Sequence, residues 1–237
     1  MLSIIIPLRN EIDNLENIKD NFNKNLKNIN FEVILVNDFS SDETFQKANE
    51  IAKVNKNFKV FDNKKKGLGG AINLGIKKTI GDYICIMMAD LSDDIDDLKK
   101  YFNLIKKEKL DAVFGSRFIK GSKLKDYPTK KLILNRIFNL FVQILFLNRY
   151  NDYTNAFKIY KAETIKKMIP FVSESFNIFL EIPLKFISRG CVYKIIPISW
   201  YNRKIGKAKF NIKELRSKYL FTLIYCLIEK ILLKKKN

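Results

Sequence analysis

Histidine is absent from all 237 residues. That excludes imidazole general bases, Ser-His-Asp and Cys-His arrangements, and zinc sites that need imidazole. Cysteine is scarce: Cys85, Cys191 and Cys226 stand far apart with no CxxC pair. Neither a disulfide framework nor a Cys-rich zinc site is expected, and a reducing cytoplasm is the matching compartment. Low-complexity linkers and internal repeats of about 20–50 residues are missing too, so the length fits one large domain or little more. No apolar run reaches the roughly 20 residues of a spanning helix. Acidic residues are in deficit, 25 Asp and Glu against 44 Lys and Arg, for a net charge of +19. Hydrophobic residues are not short: at 47% they suffice for a sizeable core and exclude disorder as the main state.

The positive charge is segregated. Residues 1–117 carry 19 basic and 18 acidic groups, whereas 118–150 carry 7 and 1, and 201–237 carry 11 and 2. A compositional bias toward lysine would raise it throughout, yet the first half stays neutral. The uneven pattern points to two segments facing something anionic, either phosphates, a membrane surface or nucleic acid.

The first half alternates short apolar runs with longer mixed ones. Strands are predicted at 2–7, 32–37, 57–61, 82–88 and 111–115, and helices near 12–28, 42–55, 69–79 and 94–108. The opening Ser3-Ile4-Ile5-Ile6-Pro7 follows Met1 with no basic stretch before it and reads as a first strand, not a signal peptide. Ser40-Ser41-Asp42-Glu43 fits a capping box for the second helix. Alternating strands and helices predict a mostly parallel α/β sheet, whose ligands bind in the loops after the strands. Those loops hold Pro7 to Glu11, Asn37 to Asp42, Lys64 to Ala71, Met87 to Asp94 and Gly115 to Arg117. Carboxylates, glycines and one arginine thus gather on one sheet edge, a set suited to a nucleotide diphosphate with a divalent cation.

The motifs differ in weight. Gly67-Leu68-Gly69 begins like a dinucleotide fingerprint, but Ile72 stands where the third glycine belongs; Gly70 to Gly75 has P-loop spacing, but Ile76 replaces the lysine. A tight, closely packed turn is the plainer reading of this segment. Asp90 is a stronger signal. Without histidine or paired cysteine, a metal must be held by oxygen, which selects Mg²⁺ or Mn²⁺, and a carboxylate at a strand end can hold such an ion against a diphosphate. Asp93, Asp94, Asp96 and Asp97 read instead as acids of a first helical turn. Asp42 has the same reading, whereas Asp38 sits at a strand tip where a ribose or base is contacted. Glu11 is either a helix-start acid or a nucleotide ligand.

Taken together, PLRNE (7–11), VNDFSSDET (36–44), GLGGAINLG (67–75), MADLSDD (88–94), GSRF (115–118), DYTNAFK (152–158) and the stretch 189–209 resemble family-2 glycosyltransferases of the GT-A fold, specifically the dolichol-phosphate mannose synthase-like group. The resemblance covers roughly residues 2–210. It implies a GT-A, Rossmann-like sheet flanked by helices, a nucleotide-sugar donor, a divalent metal and a polyprenyl phosphate acceptor. By position, Pro7, Glu11 and Asp38 would bind the nucleoside, Ala89 and Asp90 would lie beside the diphosphate with Asp90 on the metal, and Arg117 would hold the donor phosphates or sugar. Arg203 and Lys209 would close a basic loop over both phosphates, while Lys131 and Asn135 match acceptor-phosphate positions. The sequence departs from the group at Met88, where a metal-motif Asp is usual, and at Asn37; one carboxylate fewer is expected either to weaken metal binding or to shift coordination onto Ser92, water and the diphosphate.

A phosphate acceptor suits this residue set. Its second pKa is about 6, so it is already a nucleophile at neutral pH, and what the site must supply is fixed cations to bring two anions together. A hydroxyl acceptor, as in surface-polysaccharide assembly, would need a base such as Glu181, which otherwise reads as a helix-packing carboxylate. Lys131, Asn135, Asn139 and Gln143 recur every four residues among aliphatic and aromatic neighbours. That helix is either deep in a core or has its apolar sides on lipid and its polar stripe on the site. Tyr219 to Ile228 is apolar apart from Thr222 and leads into Lys234-Lys235-Lys236. It is expected to be an amphipathic helix lying on an anionic membrane, or else an ordinary docking helix or dimer contact. The expected organisation is a catalytic domain at 1–210 and a membrane-associating helix at 211–237, peripheral on the cytoplasmic face. Nucleic-acid binding is the reading of another class, but no recognition motif supports it. The sequence sets no oligomeric state.

Overall fold

The computed structural model describes residues 1–202 and 212–234. Strands β1 (Leu2–Leu8), β2 (Phe31–Asn37), β3 (Phe58–Asp62) and β4 (Tyr83–Ile86) alternate with helices α1 (Ile12–Asn25), α2 (Thr44–Val54) and α3 (Leu68–Lys78). Helix α4 (Ile95–Lys107) leads to β5 (Ala112–Ser116), and the short β6 (Lys123–Lys125) precedes α5 (Thr129–Phe146). The second half adds β7 (Lys158–Lys161), α6 (Ala162–Lys166), α7 (Ile178–Ser188), β8 (Tyr193–Pro197), β9 (Ser199–Tyr201) and α8 (Ile212–Lys234).

Seven strands form one sheet in the order β3-β2-β1-β4-β7-β5-β8, and β6 pairs with β9 in a second. All pairings are parallel except those of β7, which runs antiparallel between β4 and β5. β1 and β2 are buried along their whole length. That is why both are largely apolar rather than alternating, with Ser3 and Glu32 as buried exceptions: helices cover both faces of the sheet. One core cluster lies on the α3, α5, α7 and α8 side, the other on the α1, α2 and α4 side. Helix α4 shows the seam that anchors it, with Leu98, Tyr101, Phe102 and Ile105 buried at i, i+3, i+4 and i+7.

One local expectation needs correction, and the closely packed turn read at the glycine segment is present. The capping box does not form: the N-cap of α2 is Glu43 without a side-chain bond, and Asp42 accepts the Thr44 N–H at 3.0 Å instead. The glycine segment is a packing device. Gly67 adopts φ +120°, and a Cβ on Gly69 would sit 1.8 Å from the Ser173 carbonyl oxygen. The Gly69 N–H donates to the Glu174 carbonyl at 3.0 Å, so backbone meets backbone where no side chain fits.

α5 leaves Ile133, Leu134, Ile137, Leu140, Phe141 and Ile144 more than half exposed while burying Asn139, Val142 and Phe146. Of the two placements open for this helix, the deep-core one is excluded. α8 docks on α7 through Thr222, which bonds Asn177 at 2.9 Å, and through Leu223 and Cys226 in the core. Its other side leaves Leu220, Phe221, Ile224, Ile228, Ile231 and Leu232 in solvent. Among the described residues, no helix is long and apolar enough to cross a membrane.

Candidate active site

Because β1 to β4 are parallel, their carboxyl ends open on one edge. Pro7 lies buried in β1 opposite Val36 of β2. Glu11 follows as the N-cap of α1; its N–H donates to Thr44 Oγ1 at 2.9 Å, and its Oε2 accepts from Asn14 at 2.7 Å. Asp38, buried just past β2, accepts the Gly67 N–H at 2.8 Å and Asn63 Nδ2 at 2.9 Å, both on Oδ1. Asp38 thereby ties the glycine turn to the end of β2. Asn37, at the other departure from the family pattern, donates to Asp62 at 2.9 Å and braces the end of β3.

The chain leaves β4 through Met87, Met88 and Ala89 to reach Asp90. Asp90 Oδ1 accepts both the Ser92 N–H at 3.1 Å and the Ser92 hydroxyl at 2.8 Å. This local turn is completed by Leu91 at φ +52° and brings the expected ligands Asp90 and Ser92 together. β9 clamps the loop from outside: the Tyr201 N–H donates to the Ser92 carbonyl at 3.0 Å, Trp200 bridges Asp93, and the Ser199 N–H donates to Asp97 at 2.6 Å.

The four following aspartates divide. Asp94 is the N-cap of α4 and accepts the Asp96 N–H, and Asp96 and Asp97 lie in the first turn, as expected of dipole-complementing acids. Asp93 does not share that role. It precedes the cap, is 7% exposed, and makes no hydrogen bond or ion pair among the described residues. Burial, and after it repulsion by Asp90, pushes its carboxyl up to about 7 against the pull of Arg117 and Lys158.

Arg117 is not an open cation. It is 9% exposed, and Asp152, fully buried, takes its Nε at 2.8 Å, its Nη2 at 2.7 Å and its backbone N–H at 2.9 Å. Burial opposes the guanidinium charge; the Asp152 charge and hydrogen bonds overcome it, and the net shift is upward. Behind this pair lies Lys158, fully buried, whose Nζ donates to the Tyr153 carbonyl at 3.2 Å and to that of Asn155. Burial lowers its ammonium to about 7 despite Asp152. Asp152 and Lys158 received no role from the sequence; the one signal for them was their place in the DYTNAFK segment.

α5 presents its polar stripe to this cluster. Asn135 donates to Tyr127 Oη at 3.0 Å and accepts from Thr154 Oγ1 at 2.9 Å, while Asn139 accepts the Tyr153 N–H at 2.6 Å. The Lys131 ammonium lies 5.5 Å from the Tyr127 ring centroid, and the Arg117 guanidinium 5.6 Å from the same ring. Lys131, Asn135 and Arg117 are thus gathered around Tyr127. Arg203 and Lys209 lie outside the described residues. Glu181 is fully buried, accepts the Val172 and Ser173 N–H groups at 3.0 and 2.8 Å and pairs with Lys185 at 3.2 Å, so it is a packing carboxylate.

The donor set at the end of β4 is hard oxygen, suited to Mg²⁺ or Mn²⁺. Among the described residues no three His, Cys, Asp or Glu side chains converge, so an ion here would draw the rest of its shell from substrate and solvent.

Similarity to known proteins follows the same outline. A dolichol-phosphate mannosyltransferase of Pyrococcus furiosus is 33% identical over 135 residues, 57% of this chain and 38% of that one. An undecaprenyl-phosphate mannosyltransferase of Micrococcus luteus is 25% identical over 217 residues, 87% of this chain and 86% of that one. The chain spans well under half the length of the first of these relatives and most of the second. Among solved structures, glucosyl-3-phosphoglycerate synthase of Mycobacterium tuberculosis, in complex with Mn²⁺, uridine diphosphate and glucosyl-3-phosphoglycerate, superposes with a TM-score of 0.72 at 14% identity, over 96% of this chain and 80% of that one. At that identity the likeness establishes the GT-A fold. Residues 3–169 match the model of glycosyl transferase family 2, and the chain belongs to that family.

Proposed function

We propose that this glycosyltransferase moves one sugar, with inversion, from a nucleotide diphosphate donor to the phosphate of a polyprenyl phosphate at the cytoplasmic face of an anionic membrane. The observation that carries the reading is α5. Its polar stripe meets Tyr127 and Thr154, and Arg117 lies over the same Tyr127 ring, while Ile133, Ile137, Phe141 and Ile144 face solvent. α8 runs alongside: Tyr219 packs edge-on against Phe138 with ring centroids 5.5 Å apart, and Lys230 donates to the Phe146 carbonyl. Two neighbouring helices thus leave apolar stripes uncovered, with Lys130, Lys131, Arg136 and Lys230 among them. That combination fits burial in lipid beside anionic headgroups. The names of the two mannosyltransferase relatives point to the same acceptor class and make activated mannose the first donor to test.

In this reading Pro7, Glu11 and Asp38 seat the nucleoside, and Ala89 and Asp90 flank the diphosphate. Asp90 and Ser92 would hold Mg²⁺ or Mn²⁺, which supplies charge neutralisation on the departing diphosphate. Lys131 and Asn135 orient the acceptor phosphate; Arg203 and Lys209 are assigned to both phosphates by their motif positions. An acceptor phosphate oxygen attacks the anomeric carbon, the bond from that carbon to the diphosphate breaks, and no base is required because the nucleophile is already ionised. Transfer to a saccharide hydroxyl would need a base, and Glu181 is engaged elsewhere.

The test combines chemistry and surface. Labelled activated mannose, incubated with the protein and anionic vesicles carrying polyprenyl phosphate, is expected to yield a labelled glycolipid. An Ile137→Asp, Phe141→Asp variant is expected to bind such vesicles at least about tenfold more weakly, since each exchange removes apolar area worth roughly 2 kcal/mol from lipid. Because both side chains face solvent, its melting temperature is expected to stay near the parent's. Vesicle binding unchanged by the pair would remove α5 from the membrane face.

A further inference from the structure

We infer that the hydroxyl of Tyr127 is a direct ligand of the acceptor phosphate, donating a hydrogen bond to one of its terminal oxygens. The inference rests on the phosphate-acceptor reading proposed above and adds a residue to that site.

Two observations converge. The first is a relay of hydrogen bonds whose direction is fixed at its source. A backbone N–H can only donate, and that of Tyr153 donates to Asn139 Oδ1 at 2.6 Å. Asn139 Nδ2 in turn donates to Asn135 Oδ1, which also accepts from Thr154 Oγ1 at 2.9 Å. With its oxygen taken there, Asn135 presents Nδ2 to Tyr127 Oη at 3.0 Å. The phenol oxygen is therefore the acceptor in that bond, and its own O–H is the next donor in the chain. The second observation is what surrounds the ring. The Lys131 ammonium lies 5.5 Å and the Arg117 guanidinium 5.6 Å from its centroid, and the Trp200 ring packs edge-on at 4.9 Å. Ammonium, guanidinium and indole offer no acceptor. Among the described residues the partners of Tyr127 are thus donors and cations, and the half-buried O–H among them is completed by an anionic oxygen.

The chain explains why the ring stands there. β6 pairs with β9 and sets Leu124 opposite Trp200. Asp126, at φ +56°, turns the chain out of β6, and Pro128 follows Tyr127 as the N-cap of α5. The ring is held between the second sheet and the polar stripe of α5. Its contribution differs from that of the cations. Lys131 and Arg117 supply charge, whereas a phenol adds a directed bond without adding charge. With one terminal oxygen held, the phosphate can turn another toward the anomeric carbon, while the proton stays on Tyr127. Asn135 then acts on the phosphate through Tyr127 as well, by fixing the hydroxyl.

The experiment compares the full-length protein with its Tyr127→Phe variant, which keeps the ring and removes the hydroxyl. Transfer from labelled activated mannose is measured with Mn²⁺ and anionic vesicles, varying polyprenyl phosphate and donor separately. The KM for polyprenyl phosphate is expected to rise about tenfold, the size of one lost hydrogen bond to a charged group, while the donor KM stays within about twofold of the wild type. Binding is read separately, without donor, on anionic vesicles with and without polyprenyl phosphate. The wild type is expected to prefer the phosphate-bearing vesicles and Tyr127→Phe to lose most of that preference. This arm decides the inference if activated mannose is not turned over. An unchanged acceptor KM, or an unchanged vesicle preference, overturns the inference and leaves the phosphate-acceptor reading standing. A rise in donor KM alone places the hydroxyl at the donor diphosphate and overturns it too. A merely structural role would lower the melting temperature and raise both KM values together, and that pattern also overturns it. If the wild type neither transfers to polyprenyl phosphate nor prefers vesicles that carry it, the acceptor reading itself fails, and the inference with it.

Discussion

Asp90→Ala is expected to reduce sugar transfer by about a thousandfold, equivalent to ~4 kcal/mol of lost transition-state stabilisation. The expectation follows from what Asp90 does and does not hold together. Among the described residues its side chain accepts the Ser92 N–H and the Ser92 hydroxyl, and it is only partly buried, so the loss of these bonds is expected to lower stability by about 1–2 kcal/mol. Chemically it is the carboxylate in the sugar-nucleotide loop that the family resemblance places at the diphosphate. Asp90→Asn separates the two roles. The amide oxygen still accepts from Ser92, so the turn persists, while the charge proposed to hold the ion disappears. Both variants are therefore expected to melt close to the parent and to transfer at least about a hundredfold more slowly. Steady-state rates and calorimetric melting, measured on the same preparations, check this. A slow Asp90→Ala enzyme accompanied by a slow but strongly destabilised Asp90→Asn enzyme would show that the loop, not the charge, was lost.

Removing Asp152 is expected to have the largest effect on stability. The carboxylate is fully buried and receives three hydrogen bonds from Arg117 alone. Asp152→Ala strands the Arg117 guanidinium in a low-dielectric pocket with the Lys158 ammonium nearby. Breaking one side of such a pair costs about 3–5 kcal/mol. At roughly 2–4 °C per kcal/mol for a chain of this size, that corresponds to a melting point lower by about 6–20 °C. The pair itself is a different quantity. Replacing both partners by apolar residues of similar shape, Arg117→Met with Asp152→Leu, is expected to recover much of the stability, because no uncompensated charge remains. Activity should not recover with it, since Arg117 lies against Tyr127 beside Lys131, at the edge where the two phosphates are proposed to meet. A double variant as unstable as Asp152→Ala would mean that the pair contributes through its backbone bond to Arg117 and not through charge.

These residues show where reading the chain succeeds and where it stops. β1, β2, β4 and β5 were legible because each is a short apolar run ending in turn residues, and a parallel sheet puts their loops on one edge. Asp90 was legible for the same reason, as a carboxylate at the end of a strand. β7 was not. Its four residues are Lys158-Ile159-Tyr160-Lys161, and two terminal lysines conceal a strand whose first three residues are buried. Lysine is exposed by default, and only the carbonyls of Tyr153 and Asn155 make this one tolerable inside. Arg117 read as a free cation because its partner is 35 residues away in sequence. Asp93 read as one of four helix-start acids, and nothing local distinguishes it from Asp94; what sets it apart is the Trp200 bridge, formed by a strand more than 100 residues later. For α5 the periodicity gave two placements, and only the packed fold shows which side meets solvent.

The most direct test of the central claim is a competition among acceptors. The protein is given labelled activated mannose and equal amounts of polyprenyl phosphate, the corresponding polyprenol without phosphate, and an oligosaccharide, all with anionic vesicles and Mn²⁺. A nucleophile that needs no base predicts label on the polyprenyl phosphate alone, at a rate that levels off as pH rises past the acceptor's second ionisation near 6. Label on the polyprenol or on the oligosaccharide at a comparable rate would contradict it.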